Sequence, residues 1–244
     1  MVVAECLVED CVVTLTKVEG TMARALVLRH HFEDSPGLVG EALEARGYEL
    51  DLVMMNETSA TPSLDGFDVL VILGSKCAVY DHEVEAAWFG RELTLIGEAD
   101  RRGLPIFGVC FGAQALCRYF GGDVTRAPDG EIGWFEVDVV PGIALPRGPW
   151  FEFHSDQCTL PGSAQLWATS PLAVQAFAIG KNVGVQFHPE IDEAQLREWL
   201  NADEQETREL GLDLDALLEQ TARETPAARE RTQVLVDIFL SRLD

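Results

Sequence analysis

The sequence predicts an α/β fold on a central, mostly parallel sheet, and three observations carry that expectation. Short, nearly continuous apolar runs recur at Ala25–Arg29, Asp68–Leu73 and Pro105–Val109, the texture of strands buried on both faces. Helical spacing separates them, so the order strand, helix, strand implies right-handed parallel winding. From Gly121 the texture changes to alternating strands broken by Pro and Gly, which predicts a smaller antiparallel or mixed excursion laid against that sheet.

The elements follow in order. Ala25–Arg29 is the first strand, and Ser35-Pro36-Gly37 supplies a cap and early proline for a helix over Gly37–Arg46, stopped by Gly47. Tyr48–Met55 is the second strand and Asp68–Leu73 the third. Gly74-Ser75-Lys76 leaves the third strand directly, so its backbone N–H groups can line the C-terminal edge of the sheet, where open α/β folds bind ligands. His82–Asp100 is a helix with Val84, Trp88, Leu93 and Ile96 on its core side, closed by Arg101-Arg102-Gly103. Further strands are expected at Gly133–Val140, Trp150–His154, Gln165–Thr169, Val174–Ile179 and Val183–His188. Helices over Glu193–Ala202, Leu212–Gln220 and Thr225–Leu243 follow, the last with Val234, Leu235, Ile238 and Phe239 on its apolar side, and E-Q-E-T-R-E between them reads as solvated surface. Residues 1–21 are expected to be peripheral, either an appended edge element or a consequence of the chosen start. The main domain then spans residues 22–192, with residues 193–244 a helical extension packed on that domain or on a partner.

The chain has 244 residues, enough for one large α/β unit, and 18 basic against 41 acidic residues give a formal charge of −23. Such a charge repels phosphate backbones and anionic lipid surfaces, so neither nucleic acid nor membrane is an expected partner. Without a long apolar run or a basic export leader, the default location is cytoplasmic. The six cysteines, Cys6, Cys11, Cys77, Cys110, Cys117 and Cys158, are scattered without a C-x-x-C pair, which favours free thiols over a disulfide framework or structural zinc. Neither a metal nor an organic cofactor is indicated; the proximity of Cys158, His154 and Asp156 in sequence is weaker evidence for a metal than for an ordinary loop.

The stretch with most chemical content is Pro105–Gln114, P-I-F-G-V-C-F-G-A-Q. Gly108 and Gly112 remove bulk on either side of Cys110, permitting a sharp turn from strand into a helix over Ala113–Phe120. That lifts Cys110 above the sheet edge, as in a nucleophile elbow, with a helix N-terminus to favour thiolate. Alone, the segment also fits a small buried thiol between packing glycines. A second feature comes from V-G-V-Q-F-H at 183–188, which ends in Pro189-Glu190: the proline keeps His188 out of helical angles, and Glu190 can accept from one ring nitrogen. Nucleophile, proton carrier and orienting anion are what thiol acyl transfer requires.

G-V-C-F-G-A-Q at 108–114 and G-V-Q-F-H-P-E at 184–190, with F-H-S-D at 153–156, closely resemble the motifs of class I glutamine amidotransferases, in the same order. The likeness runs from about Ala23 to Ile191 and is nearest to free-standing homologues of the GMP synthase glutaminase domain. The resemblance implies a flavodoxin-like three-layer α/β sandwich. It implies Cys110 as nucleophile, His188 as acid and base, Glu190 as orienting residue, and the N–H groups of Ser75 and Phe111 as oxyanion hole. Gly74, Gln114, His154 and Asp156 fall at its substrate-side positions, and glutamine or a related small amide is the implied substrate. Two departures stand out: Gly74-Ser75-Lys76 replaces the usual Gly-Gly-Pro, and Ala113 stands where many members have histidine. No glycine-rich nucleotide loop follows Ile191, so a separate synthetase is an expected partner, with self-association into a homo-oligomer a further possibility. Three readings stay open: a glutamine-hydrolysing amidotransferase, a hydrolase of a related γ-glutamyl amide or small peptide, and a non-catalytic regulatory module on the same fold.

Overall fold

The computed structural model describes residues 22–202 and 211–243. The expectations for residues 1–21, with Cys6 and Cys11, and for the E-Q-E-T-R-E run fall outside that range.

The central sheet has eight strands. β1 (Ala23–Arg29), β2 (Tyr48–Met54), β3 (Val69–Ile72), β4 (Ile106–Val109) and β10 (Asn182–Val185) form its parallel half, in the order β2-β1-β3-β4-β10. β9 (Val174–Ile179), β8 (Gln165–Thr169) and β6 (Asp138–Val139) extend it by antiparallel pairing beyond β10. The predicted excursion is therefore partly a continuation of the main sheet. Its remainder is a separate two-stranded ribbon of β5 (Asp123–Phe135) and β7 (Trp150–Thr159); β7 outruns the expected Trp150–His154, whereas the expected strand over Gly133–Val140 is divided, its start closing β5 and Asp138–Val139 forming β6 in the main sheet.

Both faces of the parallel half are covered, which is why its strands read as unbroken apolar runs. Val27, Val71, Phe107 and Val185 point to one face, where α1 (Gly37–Glu44) and the last helix, α6 (Leu214–Leu240), pack with Leu235 and Phe239. Leu26, Leu70, Ile72 and Ile106 point to the other, under α3 (Gly90–Arg102) and α4 (Phe111–Tyr119) with Leu95, Ile96 and Leu116. Trp134 and Phe151 of the ribbon pack on α5 (Glu193–Ala202) and α6 in a third cluster.

Three differences from the sequence expectation have physical causes. The helix before α3 is interrupted: α2 (His82–Val84) passes into a π-helical turn, Glu85–Phe89, whose extra residue buries both Trp88 and Phe89. Ser35 does not cap α1 by its side chain; Pro36 occupies the cap position, and Leu38 N–H donates instead to Glu190 O at 2.9 Å. The two helices expected over Leu212–Gln220 and Thr225–Leu243 are one, with Pro226 inside. An internal proline costs ~3 kcal/mol. Tertiary anchors on both sides offset it, since Trp134 Nε1–H donates to Thr221 Oγ1 at 2.8 Å and Thr232 Oγ1–H to Pro189 O at 2.8 Å. This register also turns Val234 to solvent and buries Val236 in its place.

Phe239→Ala is expected to destabilise the protein by about 3–5 kcal/mol in denaturant unfolding. Val234→Ala should change stability by no more than about 0.5 kcal/mol. Equal effects would contradict the register of α6.

Candidate active site

The C-terminal ends of four adjacent parallel strands converge on one point. β1 delivers His30, β3 delivers Gly74, β4 delivers Cys110, and β10 leads into Gln186, His188 and Glu190. A shallow depression of about 580 Å³ near Tyr48, Phe67, Leu104 and Leu243 opens at the opposite, N-terminal edge of the strands, far from these groups.

Among the described residues, Cys110 is the one non-glycine with positive φ, at φ 50° and ψ −104°. Such a conformation costs of order 1–3 kcal/mol and persists only where the surroundings over-determine it. Here Cys110 N–H donates to Val185 O at 2.8 Å, and Gln114 N–H donates to Cys110 O at 3.0 Å. The flanking glycines are sterically required: a Cβ on Gly108 would lie 2.6 Å from Gly112 O, and one on Gly112 would lie 2.2 Å from Ile72 O. α4 starts at Phe111, directly after the thiol and earlier than the sequence suggested, so the Phe111 N–H has no intrahelical acceptor and the positive end of the helix dipole faces the sulfur.

His188 is buried, and its Nδ1 lies 2.7 Å from Glu190 Oε1. Its backbone N–H donates to Phe151 O at 2.7 Å, and Trp199 meets the ring edge-on at 5.1 Å. The remaining nitrogen, Nε2, has no well-aligned hydrogen bond and faces Cys110, with which the ring interacts. Burial opposes charge on this imidazole, but Glu190 and the cysteine sulfur outweigh it and hold the His188 pKa well above its ordinary value. Gly74 closes the same space, since a Cβ there would stand 3.1 Å from His188 Cε1 and 3.7 Å from Cys110 Cβ. Gly37 is needed at φ 41° because a Cβ would collide with Glu190 O at 2.1 Å, so the first turn of α1 fixes the acid's backbone.

The other predicted residues divide. Gln114 is buried, and its Nε2 donates to Gln186 Oε1 at 3.2 Å, while Gln186 Nε2 donates to Cys110 Sγ at 3.4 Å. Ser75 is half-buried, its Oγ accepting from Cys77 N–H at 3.2 Å. His154 is buried between two carboxylates, with Nε2 3.2 Å from Glu131 Oε2 and 3.2 Å from Glu152 Oε2. Burial again opposes charge, but both carboxylates and the Cys110 sulfur push its pKa up to about 10. Glu152 is raised to about 7 by burial, against the pull of His154. The Asp156 carbonyl accepts from His154 Nδ1–H at 3.0 Å, while its carboxylate turns outward and accepts from Tyr80 O–H at 2.9 Å near the surface.

Sequence reasoning missed Gln186, Glu131, Glu152 and the His30–Glu92 pair. Gln186 lay inside a recognised motif and Glu152 two residues before His154 on β7; Glu131 and the His30–Glu92 pair carry no local signal, because the elements that unite them are distant in sequence.

A buried thiol at a strand–helix elbow, beside an imidazole with its own carboxylate, is the arrangement of a thiol acyl-transfer enzyme. The glutamine amidotransferase class-I family model matches residues 38–202, and the chain belongs to that family. A glutamine amidotransferase from Thermotoga maritima superposes with TM-score 0.82 at 27% identity, over 90% of this chain and 99% of that one. A glutamine amidotransferase from Methylobacillus flagellatus shares the fold, with TM-score 0.79 at 20% identity over 92% of this chain and 96% of that one. Among curated relatives, the glutamine-hydrolysing GMP synthase of Rhizobium rhizogenes is 38% identical over 101 residues, 36% of this chain and 19% of that protein. That of Aeropyrum pernix is 36% identical over 112 residues, 41% of this chain and 22% of that protein, so the match spans about a fifth of each relative.

Two outcomes are expected. Gly112→Ala should lose about 1–3 kcal/mol or more by overpacking, whereas Gly162→Ala, in open space, should stay within about 0.5 kcal/mol. Glu152 folds with its pKa raised from 4.5 to about 7, so the folded state binds the extra proton and stability falls as pH rises through that interval. Glu152→Gln should remove this fall, gaining on wild type between pH 4.5 and 7 in denaturant titrations; a pH-independent difference would contradict the assignment.

Proposed function

We propose that the chain hydrolyses the side-chain amide of glutamine, releasing ammonia through a γ-glutamyl thioester on Cys110. The observation that carries this reading is the positive-φ elbow at Cys110, aimed at an imidazole whose far nitrogen is held by Glu190 at 2.7 Å. In this reading Cys110 Sγ attacks the amide carbon and its proton passes to His188 Nε2. The N–H groups of Phe111 and Ser75 receive the charge that develops on oxygen. His188 then protonates the departing ammonia, and water, activated by the same imidazole, releases glutamate. Glu190 keeps the Nδ1 proton in place and stabilises the imidazolium, in keeping with the raised pKa of His188.

The relatives named GMP synthase suggest where ammonia would go: to a synthetase activity, which we assign to a partner of this chain. A second reading, hydrolysis of a related γ-glutamyl amide, is favoured by the Gly74-Ser75-Lys76 turn, which departs from the Gly-Gly-Pro that the resemblance implies, and by the Glu131–Glu152 carboxylates behind His154. The main domain is taken as residues 22–192, with α5 and α6 as its helical extension.

Cys110→Ser should abolish ammonia and glutamate release with an unchanged unfolding transition, since the volume change is small. His188→Asn should lower kcat by about 10²–10⁴-fold. Equal rates for wild type and Cys110→Ser would refute the proposal, and preference for a γ-glutamyl amide over glutamine would select the second reading.

A further inference from the structure

A buried ion pair that the proposed chemistry does not use stands directly behind the Gly74 turn. His30 follows β1, and Glu92 lies in the first turn of α3; both are buried, with His30 Nε2 2.9 Å from Glu92 Oε2. The other ring nitrogen, Nδ1, lies 2.7 Å from Gly74 O. A carbonyl only accepts, so Nδ1 carries a proton and donates. The ring is held on its flanks by Trp88 at 4.7 Å and by Phe111 at 5.0 Å.

This imidazole therefore touches both halves of the proposed oxyanion hole, gripping the peptide that contains the Ser75 N–H and packing on the ring of Phe111, whose backbone N–H is the second donor. Gly148–Pro149 is the cis bond among the described residues, so the Gly74–Ser75 peptide is trans, and its N–H points opposite to its carbonyl. Anchoring the carbonyl to His30 aims the Ser75 N–H away from the ring. An acceptor charge-paired to a donor also polarises the peptide and strengthens its N–H.

We propose that His30 and Glu92 are a positioning pair that orients and polarises the Gly74–Ser75 peptide so that the Ser75 N–H serves as oxyanion donor. Burial works against a charged His30 ring, yet Glu92, the Gly74 carbonyl and Asp34 together raise its pKa, in keeping with an imidazolium donor. Asp34 is the second carboxylate facing it, its Oδ2 accepting from the backbone N–H of His30 at 3.3 Å and of His31 at 2.8 Å.

The inference rests on Cys110 as the nucleophile, but its test does not require glutamine turnover. Two reagents are compared at Cys110, with modification followed by peptide mass. With 4-nitrophenyl acetate, sulfur bonds to the carbonyl carbon and the thiol proton passes to His188; the carbonyl pair moves to oxygen and returns, expelling 4-nitrophenolate. Iodoacetamide instead alkylates the sulfur: a C–S bond forms at its methylene carbon as iodide leaves and His188 takes the thiol proton, with no oxyanion formed. His30→Leu should slow acylation about 10- to 100-fold, somewhat less than the 10²–10³ lost with an oxyanion donor itself, while alkylation changes by less than about threefold. His30→Asn restores a neutral donor where Nδ1 stood and should recover acylation to within about threefold of wild type. Should His30→Leu not fold, Glu92→Gln carries the test, with acylation slowed about 3- to 10-fold at unchanged alkylation. Acylation and alkylation falling together, or neither falling, would overturn the positioning role. Wild type that acylates normally yet releases no ammonia from glutamine would instead refute the glutaminase reading and leave this one standing.

Discussion

The hydrogen bond from Cys110 N–H to Val185 O, at 2.8 Å, is the constraint on which the rest of the site depends. It continues the β4–β10 ladder one residue past the end of β4, then forces the chain to leave the sheet at a left-handed residue. Gly108 and Gly112 exist to let α4 approach β3 and β4 closely enough for this, and the strain, of order 1–3 kcal/mol, is borne by a core packed on both faces. Because β10 is the strand that supplies Val185, the same ladder delivers Gln186 and His188 beside the sulfur. The Cys110 thiol and the His188 imidazole are thus placed by one pair of neighbouring strands.

Around the sulfur, three buried histidines each meet carboxylates, and each pairing has a different consequence. Glu190 holds His188 from behind and leaves Nε2 directed at the thiol. Glu131 and Glu152 surround His154 and keep it cationic far into the alkaline range, while burial holds the Glu152 carboxyl up at about 7 against the pull of His154. Glu92 backs His30, which grips the Gly74 carbonyl. Low dielectric makes such pairs strong when complete and costly when one partner is lost, so the cluster is rigid rather than adaptable. The family's shared fold supplies the strands; these side-chain pairs set how this member's site is tuned.

How much of this was legible beforehand can be traced through particular residues. Buried parallel strands announced themselves because both faces are covered, and the glycines at 108 and 112 marked the elbow because only a missing Cβ permits it. Pro226 misled in the other direction: locally it breaks a helix, but the contacts of Thr221 and Thr232 with Trp134 and Pro189 keep α6 continuous. Val234 was assigned to the apolar side from a pattern that could not resolve which of the two valines flanking Leu235 faces the core. The π-helical turn over Glu85–Phe89 left no mark in periodicity, since one extra residue merely shifts the stripe that follows.

By itself, the sequence determined the class of fold, the family, and the identity of the thiol, imidazole and carboxylate in the candidate site, because each is written in a short local pattern of glycines, prolines and apolar runs. Only the tertiary structure decided what surrounds them: Gln186 on the sulfur, carboxylates on His154, and His30 with Glu92 behind Gly74. Apart from Glu152, two residues before His154 on β7, these partners are separated by tens of residues along the chain. Strand order, rather than sequence distance, brings them together, and single-chain patterning carries no signal for order.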